Sequence, residues 1–568
     1  MNLEMRSWGV RVWTLACLAW LILTWAWGGL PLAMTVDDTF YYFKTALNVS
    51  RGLGSTFDGI NPTNGYHPLW LALLAGAFSL FRDDLVFLTR VAFTIQIVMV
   101  WAGGMWLSRV RAAGGRWVLL PLTLALLNPF TAKIVLCGQE TALQFLMSSV
   151  ALVYWWNLRT SSARSAPGSS ATSAGRWIVL GLLCVVATLS RLDTIFFCAV
   201  LLAMPVVLPS ETERRLGFAG RLRLSVIGGA AMTAGMLPYL IFNVVKYKHM
   251  MPVSGAIKLR LEASELSPLP ARAAVVVLSL VWLIWLWIGA RRPRATGGGA
   301  GGANVSADPA VDLSFLAPPL GACLVGAIYN FGIRGEMSPS LVRVWYLEPY
   351  LLGGVVALGA ILQSQLLRSV VTRAITRGVV ALWVVFSAFT WRYRLEPRSY
   401  SIYAAAARCS EWFDHNSAPT AVAAAWDAGF AAAMTRKPVM NLDGLISSWE
   451  FKENYLDRGD VDQFIDQRHP VDYVIQYAWP ATLRNIARRS AAGGSTPPPH
   501  MTSGRWGVDL SSFYVAHVEC VMVSVAYNPA ETLGPVQYFV LSRVPAGDGP
   551  PLTLAEFARR NAGRESCN

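Results

Sequence analysis

Between Val12 and Trp391 the chain is a succession of apolar segments separated by short polar loops. A helix needs about 20 apolar residues to cross a bilayer core about 30 Å thick. Most of these segments approach that length, so they are expected to stack as a bundle of membrane helices. Composition agrees: the 568 residues are 54% hydrophobic and 14% charged, whereas soluble domains carry roughly a quarter charged residues. The formal charge of +14 does not call for nucleic acid. Most of the excess sits in short loops, as the positive-inside rule expects. The eight Cys are scattered without a CxxC, and the six His show no HExxH or finger spacing. No strong transition-metal site follows from them. No small-residue cleavage site precedes Asp37, so the first segment reads as a retained anchor.

Charge sets the topology. Arg6 and Arg11 precede the first segment, Val12–Leu32, which should run outward. Pro68–Phe81, at about 14 residues, is short for a span and is placed on the outer surface as an interfacial helix. The next spans are then Leu85–Leu107, Trp117–Leu136, Thr141–Leu158, Trp177–Leu189, Thr194–Leu208 and Leu224–Val245. The Arg-rich loops at Arg109/Arg111/Arg116, Arg159/Arg164/Arg176 and Arg214/Arg215/Arg221/Arg223 all fall inside. Counting Pro68–Phe81 as a span would place the first of these outside. Ala273–Ile288, Leu313–Ile328, Trp345–Leu362 and Val371–Trp391 complete about eleven spans, with the N-terminus inside and the C-terminus outside. The last is interrupted by Arg373 and Arg377. The Gly-, Ala- and Arg-rich loop Arg291–Asp312 reads as low in complexity.

From about Leu395 the composition turns soluble. Ala421–Asp427, Pro438–Asp443 and Asp472–Ile475 read as short strands, with a helix at Gly429–Met434. Phe513–Tyr527 and Val536–Val544 read as a strand pair. The expected fold is therefore mostly α: a polytopic helical domain over 1–394, with a first outer loop at 34–84, and a small extracytoplasmic α/β domain over 395–568. Cys409, Cys520 and Cys567 would lie on the oxidising side, where a disulfide of unread pairing is open to them.

This topology gathers polar residues on the outer face. Asp37 and Asp38 follow the first span; then come Asn61–Pro68 with His67, Gln139-Glu140, and Arg191-Leu192-Asp193. Lys246, Lys248, Ser254, Lys258, Arg334, Glu336, Arg343 and Tyr346 fall on the same side. Each has a plain structural reading. The aspartates suit a wet helix end, and Glu140 suits a helix N-terminus. Arg191 and Asp193 suit an ion pair at a tight hairpin, and Lys246 and Lys248 suit snorkelling. Together, acids, bases and a His at membrane ends describe a site. A carboxylate can act as general base toward a hydroxyl, and fixed cations stabilise a phosphate leaving group. That chemistry suits transfer from a lipid-phosphate donor.

The runs Val36–Phe43, Gly52–Gly59 and Asn61–Trp70 resemble the first outer loop of bacterial GT-C superfamily glycosyltransferases. Gly138–Leu143, Ser190–Asp193 and Pro252–Lys258 resemble later motifs of that superfamily. Asp427–Gly429 and Asn441–Gly444 resemble the periplasmic portion of an uncharacterised branch. The resemblance implies an inverting integral-membrane glycosyltransferase of the bacterial plasma membrane. It would move a sugar from a polyprenyl-phosphate donor to a cell-envelope glycan, lipid or protein on the outer face. An Asp of the first outer loop would be the catalytic base; Asp37 and Asp38 both match, Asp37 being the first choice. Some relatives use a divalent cation and others do not, so either Asp is the candidate ligand for one. Lys258 and Arg343, with Lys246 or Lys248, would hold the donor phosphate. Glu140, His67, Arg191, Asp193 and Tyr346 would shape the substrate pocket. Gln139-Glu140 and Arg191-Leu192-Asp193 depart from the commoner Gly-Met/Leu-Glu and Arg-Pro-Asp forms. A transporter or flippase for an anionic lipid-linked sugar is the alternative; it would call for polar broken helices and an inverted repeat, and neither is evident. A glycan-binding scaffold is the third reading.

Overall fold

The computed structural model describes residues 3–27, 29–81, 84–110, 115–162, 174–258, 313–329, 347–363, 370–395, 401–468, 470–478, 513–523, 534–543 and 552–561. It also describes 273–274, 276–281, 284, 487–488 and 510. The chain opens with the apolar helix α1 (Leu3–Ala26) and a short α2 (Gly29–Met34). Helix α3 (Asp37–Ser50) then carries the paired acids in its first turn, where negative charge suits the helix dipole. Helix α4 (Pro68–Ser79) begins on a proline, whose fixed φ and missing N–H suit a first helical position. It has 12 residues, too few to span, in keeping with an interfacial placement.

Helix α5 (Leu85–Leu107) is N-capped by Asp84, which accepts from Val86 N at 3.0 Å. The expected straight span Trp117–Leu136 is instead broken. Helix α6 (Leu119–Leu127) and α7 (Pro129–Val135) are bent by 109° about Asn128. Pro129 lacks a backbone donor and forces Asn128 out of the helical region, to φ −98° and ψ 125°. The Asn128 side chain then caps α7 by accepting from Phe130 N at 2.9 Å.

The bundle continues with α8 (Thr141–Ser162), α9 (Ala174–Ser190), α10 (Ile195–Val207) and the 31-residue α11 (Gly217–Tyr247). It continues with α12 (Val253–Lys258), α13 (Leu313–Ala327), α14 (Glu348–Gln363) and α15 (Val370–Leu395). Among the described residues, Trp8–Ala26, Leu85–Leu107 and Gly217–Tyr247 are long and apolar enough to cross a membrane; the bent pair would make a fourth. Helices α9, α10, α13 and α14 coincide with expected spans but have 17, 13, 15 and 16 residues. Most of Ala273–Ile288 lies outside the described residues. Trp13, Phe93, Phe145, Trp155 and Trp177 form the buried centre of the bundle.

The C-terminal part is a five-stranded mixed sheet flanked by helices. Strands β1 (Ala423–Ala425), β2 (Val439–Asn441), β3 (Tyr473–Ala478), β4 (Tyr514–Val523) and β5 (Gly534–Ser542) lie in the order β2-β1-β3-β5-β4. β1 pairs in parallel with β2 and β3; β5 is antiparallel to β3 and β4. All five fall on segments expected to be strands, though β3 runs past the expected end at Ile475 to Ala478 and β5 starts at Gly534, ahead of Val536. Side chains alternate across the sheet with period two. Ala424, Val474, Phe539 and Leu541 face a core closed by Phe451, Phe464 and Leu554. Ala423, Ala425, Ile475 and Val540 face the other core, which includes α16 (Ser401–Asn416) and α17 (Gly429–Met434).

That second core does not stop at the sheet's own helices. It also takes in Phe40, Phe43, Ala46 and Leu47 of α3 and Trp70, Leu74 and Phe78 of α4. Phe40 meets Phe430 of α17 edge to face, with ring centroids 4.8 Å apart at 82°. Edge-to-face pairs contribute about 0.5–1.5 kcal/mol beyond their burial. The first loop therefore shares one hydrophobic core with the C-terminal sheet.

Candidate active site

The two aspartates at the start of α3 point to different places. Asp37 accepts from Gly429 N and Phe430 N, each at 2.9 Å, through its two carboxylate oxygens. It thus occupies the first turn of α17. A Cβ on Gly429 would lie 2.2 Å from the Asp37 carbonyl oxygen, so only glycine allows this approach. Burial, then the neighbouring Asp427 carboxylate, pushes the Asp37 carboxyl well above the usual range, against the two N–H donors. Asp38, one residue on, lines an open cavity of about 280 Å³ instead. Asp37, the first choice from the sequence, is taken up by a contact between chain segments.

Around the cavity stand Tyr42, His67, Glu140, Arg191, Asp193 and Lys258, with Leu445 and Ile446 of the C-terminal part on its wall. Glu140 is held at a tight turn. Gly138 has φ +83°, and a Cβ there would meet Thr39 Cγ2 at 2.3 Å. Gln96 clips the same turn: its Oε1 accepts from Gly138 N at 3.0 Å, and its Nε2 donates to the Gln139 carbonyl. Arg191 Nη1 donates to Glu140 Oε1 at 2.6 Å, and Arg191 Nε donates to Asp193 Oδ1 at 2.8 Å. The expected local Arg191–Asp193 pair is thus present and extends to Glu140, 51 residues away in the chain.

His67 Nδ1 accepts from Leu192 N at 3.2 Å, and its Nε2 lies 3.5 Å from Glu140 Oε1. Burial, reinforced by Arg191, pushes the ring down to about 3. The ring is therefore neutral near pH 7, with its proton on Nε2, facing the Glu140 carboxylate. Of the residues singled out in the sequence, Asp38, His67, Glu140, Arg191, Asp193 and Lys258 meet at this cavity. Lys246 and Lys248 do not line it. They stand exposed at the end of α11, Lys246 Nζ lying 5.5 Å from the Phe242 and Tyr247 rings. Among the described residues they are not on the cavity wall, where a phosphate-binding role was expected to place them. Arg334, Glu336, Arg343 and Tyr346 lie outside the described residues. Cys409 is a buried free thiol; the side chain of Cys520, and Cys567, lie outside the described set.

The motif Asn61–His67 acts chiefly as a junction. Asn64 Oδ1 accepts from Val253 N at 3.1 Å and from Trp449 Nε1 at 3.2 Å, while its Nδ2 donates to Asn243 Oδ1 at 3.2 Å. One side chain thus ties the first loop to α11, α12 and the C-terminal part. Thr63 Oγ1 donates to the Ser447 carbonyl at 2.9 Å. A second row of bonds runs from α3: Tyr41 Oη donates to Asp443 Oδ2 at 2.7 Å, and Lys44 Nζ to the Thr435 carbonyl at 2.6 Å. Burial pushes the Lys44 amine down to about 8 and the Asp443 carboxyl up to about 6. Sequence reading missed Tyr41, Tyr42, Asp443 and the 445–446 wall. The polar character of the Tyr41-Tyr42 pair inside an apolar run was the available signal.

Among the described residues no three His, Cys, Asp or Glu side chains gather as a metal would require.

The chain is similar across nearly its whole length to a solved structure. ArnT from Cupriavidus metallidurans, in a crystal structure bound to undecaprenyl phosphate, matches with a TM-score of 0.51 and 13% identity, over 95% of this chain and 99% of that one. The chain shares the fold of that protein. The apo oligosaccharyltransferase of Archaeoglobus fulgidus matches with a TM-score of 0.46 and 11% identity, over 98% of this chain and 77% of that one. The same organism's AglB, with an inhibitory peptide and a dolichol-phosphate, gives 0.44 and 12%, over 99% and 78%. No protein-family model and no curated protein matches the chain.

Proposed function

We propose that the protein is an inverting glycosyltransferase that moves a sugar from a polyprenyl-phosphate donor to an acceptor hydroxyl at the outer surface of the plasma membrane. The observation that carries this reading is one cavity bordered by the Asp38 carboxylate, the Lys258 ammonium and the Glu140–Arg191–Asp193 cluster. The GT-C fold, seen in ArnT bound to undecaprenyl phosphate, supports it. Asp38 takes the proton of the acceptor hydroxyl. The oxygen attacks the anomeric carbon, and the bond to the donor phosphate breaks on the opposite face, inverting that carbon. Lys258 stabilises the leaving phosphate as charge builds on it. Arg191 is already engaged by two carboxylates, so it positions Glu140 and Asp193 instead of binding phosphate. In this reading residues 1–394 form the membrane catalytic domain, and 395–568 an extracytoplasmic domain that supplies part of the acceptor side. The acceptor is a glycan, lipid or protein of the envelope.

Transfer from a panel of undecaprenyl-phosphate sugars to envelope extracts tests the assignment. General-base removal lowers rates by roughly 10²–10⁴-fold, so Asp38→Asn should lose at least about a hundredfold in kcat. Asp37→Asn, whose amide oxygen can still accept from α17, should retain most activity. Full activity in Asp38→Asn would overturn the base assignment.

A further inference from the structure

Behind the main cavity lies a second, smaller pocket of about 30 Å³. Asp193 and Phe196 line both. Its other polar walls are Gln144 and Ser148 of α8, Thr194, and Glu348 and Tyr350 of α14. Gln144 and Glu348 are each 1% exposed. Gln144 Nε2 donates to Thr194 Oγ1 at 3.0 Å, which turns its Oε1 the other way. Gln144 Oε1, Glu348 Oε1 and Tyr350 Oη are all buried and find no hydrogen-bond partner among the described residues. Leaving a buried acceptor unmet is costly, and three around one small space are hard to explain as packing. Gln144 Oε1 can only accept, and the Asp193 carboxylate adds acceptors beside it. The pocket therefore calls for hydrogen-bond donors. Its volume admits about two water-sized groups, far less than a sugar ring.

We propose that this pocket is a subsite for one donating substituent, a hydroxyl or an ammonium group, of the sugar held in the main cavity. The inference rests on the reading of that cavity as the donor-sugar site. The substituent passes the shared Asp193–Phe196 wall and donates to Glu348 Oε1 and Gln144 Oε1, with Tyr350 Oη closing the pocket. The subsite thereby selects among donors that share the same lipid phosphate.

Calorimetric binding to the full-length protein in nanodiscs tests this. The probes are undecaprenyl phosphate alone and undecaprenyl-phosphate glucose, galactose and mannose, each also with single hydroxyls replaced by hydrogen or by an amine. Glu348→Gln, Gln144→Leu and the milder Tyr350→Phe should each weaken the best sugar donor by about tenfold while leaving bare undecaprenyl phosphate unchanged. For one deoxy analogue the loss should vanish. Similar losses in Glu348→Gln and Gln144→Leu identify a hydroxyl; a loss concentrated in Glu348→Gln for an amino sugar identifies an ammonium. Unchanged sugar affinity in all three variants, as expected of a pocket holding water only, would overturn the subsite. So would equal weakening of the bare lipid. If the unaltered protein binds bare lipid and sugar-bearing lipid alike, the donor reading itself falls, and the subsite with it.

Discussion

Adjacent residues of one type do separate jobs here because a helix turns about 100° per residue. Asp37 reaches the start of α17 while Asp38 reaches the cavity. A sequence motif locates the pair but cannot divide the roles, since both residues match it equally. Arg191 has a comparable hidden partner. Its bond to Asp193 is local and legible from the spacing; its bond to Glu140 crosses 51 positions and needs the tertiary fold. Glu140 is 2% exposed. Removing one partner of a buried ion pair costs about 3–5 kcal/mol, because the remaining charge is left uncompensated. Arg191→Met should therefore destabilise the protein by about that amount, measured by thermal or denaturant unfolding in detergent, and should reduce activity even where the protein still folds. Unchanged stability would show that Glu140 is not held as a charged partner.

At the scale of elements, hydropathy located most helices well, because an apolar run in lipid must pair its own backbone groups. Helix α5 matches its expected ends, and α4 was recognised as too short to span. The break between α6 and α7 was written in Pro129, yet hydropathy sums run straight across it. The expected sheet segments were found because short apolar runs between turn residues read as strands, but their order and direction depend on distant pairings. The junction at Gly65 was equally invisible: a Cβ there would sit 2.2 Å from the Leu445 carbonyl oxygen. Backbone cannot yield as a side-chain end can, and overpacking typically costs about 1–3 kcal/mol. Gly65→Ala should lower the melting temperature and raise hydrogen exchange across 443–451. Native exchange there would mean that the wall segment is not pinned by the first loop.

At the scale of the whole molecule, the first loop and the C-terminal sheet share one core and a row of hydrogen bonds, so the cavity is built by both. Asp443, bonded to Tyr41, gives this union a pH signature. Its folded carboxyl is raised to about 6 from an ordinary 3.8. The folded state holds a proton there that the unfolded chain releases. The associated stability is present in full below about pH 4 and is lost as pH rises through 6. Asp443→Asn should thus be nearly neutral at pH 4 and stabilising relative to the native protein above pH 6; a gap in melting temperature that stays constant between those values would refute this. His67, held down to about 3, contributes the opposite slope, so only the difference between variant and native protein isolates Asp443. By itself the sequence determined the membrane-helical class and the strand-bearing C-terminal part, since hydropathy is a local sum. Only the tertiary structure decided that Asp38 lines the cavity while Asp37 holds α17, that Lys246 and Lys248 stand outside it, and that residues 445–446 wall it. Those outcomes depend on which distant backbone arrives at each side chain, and that is settled by packing.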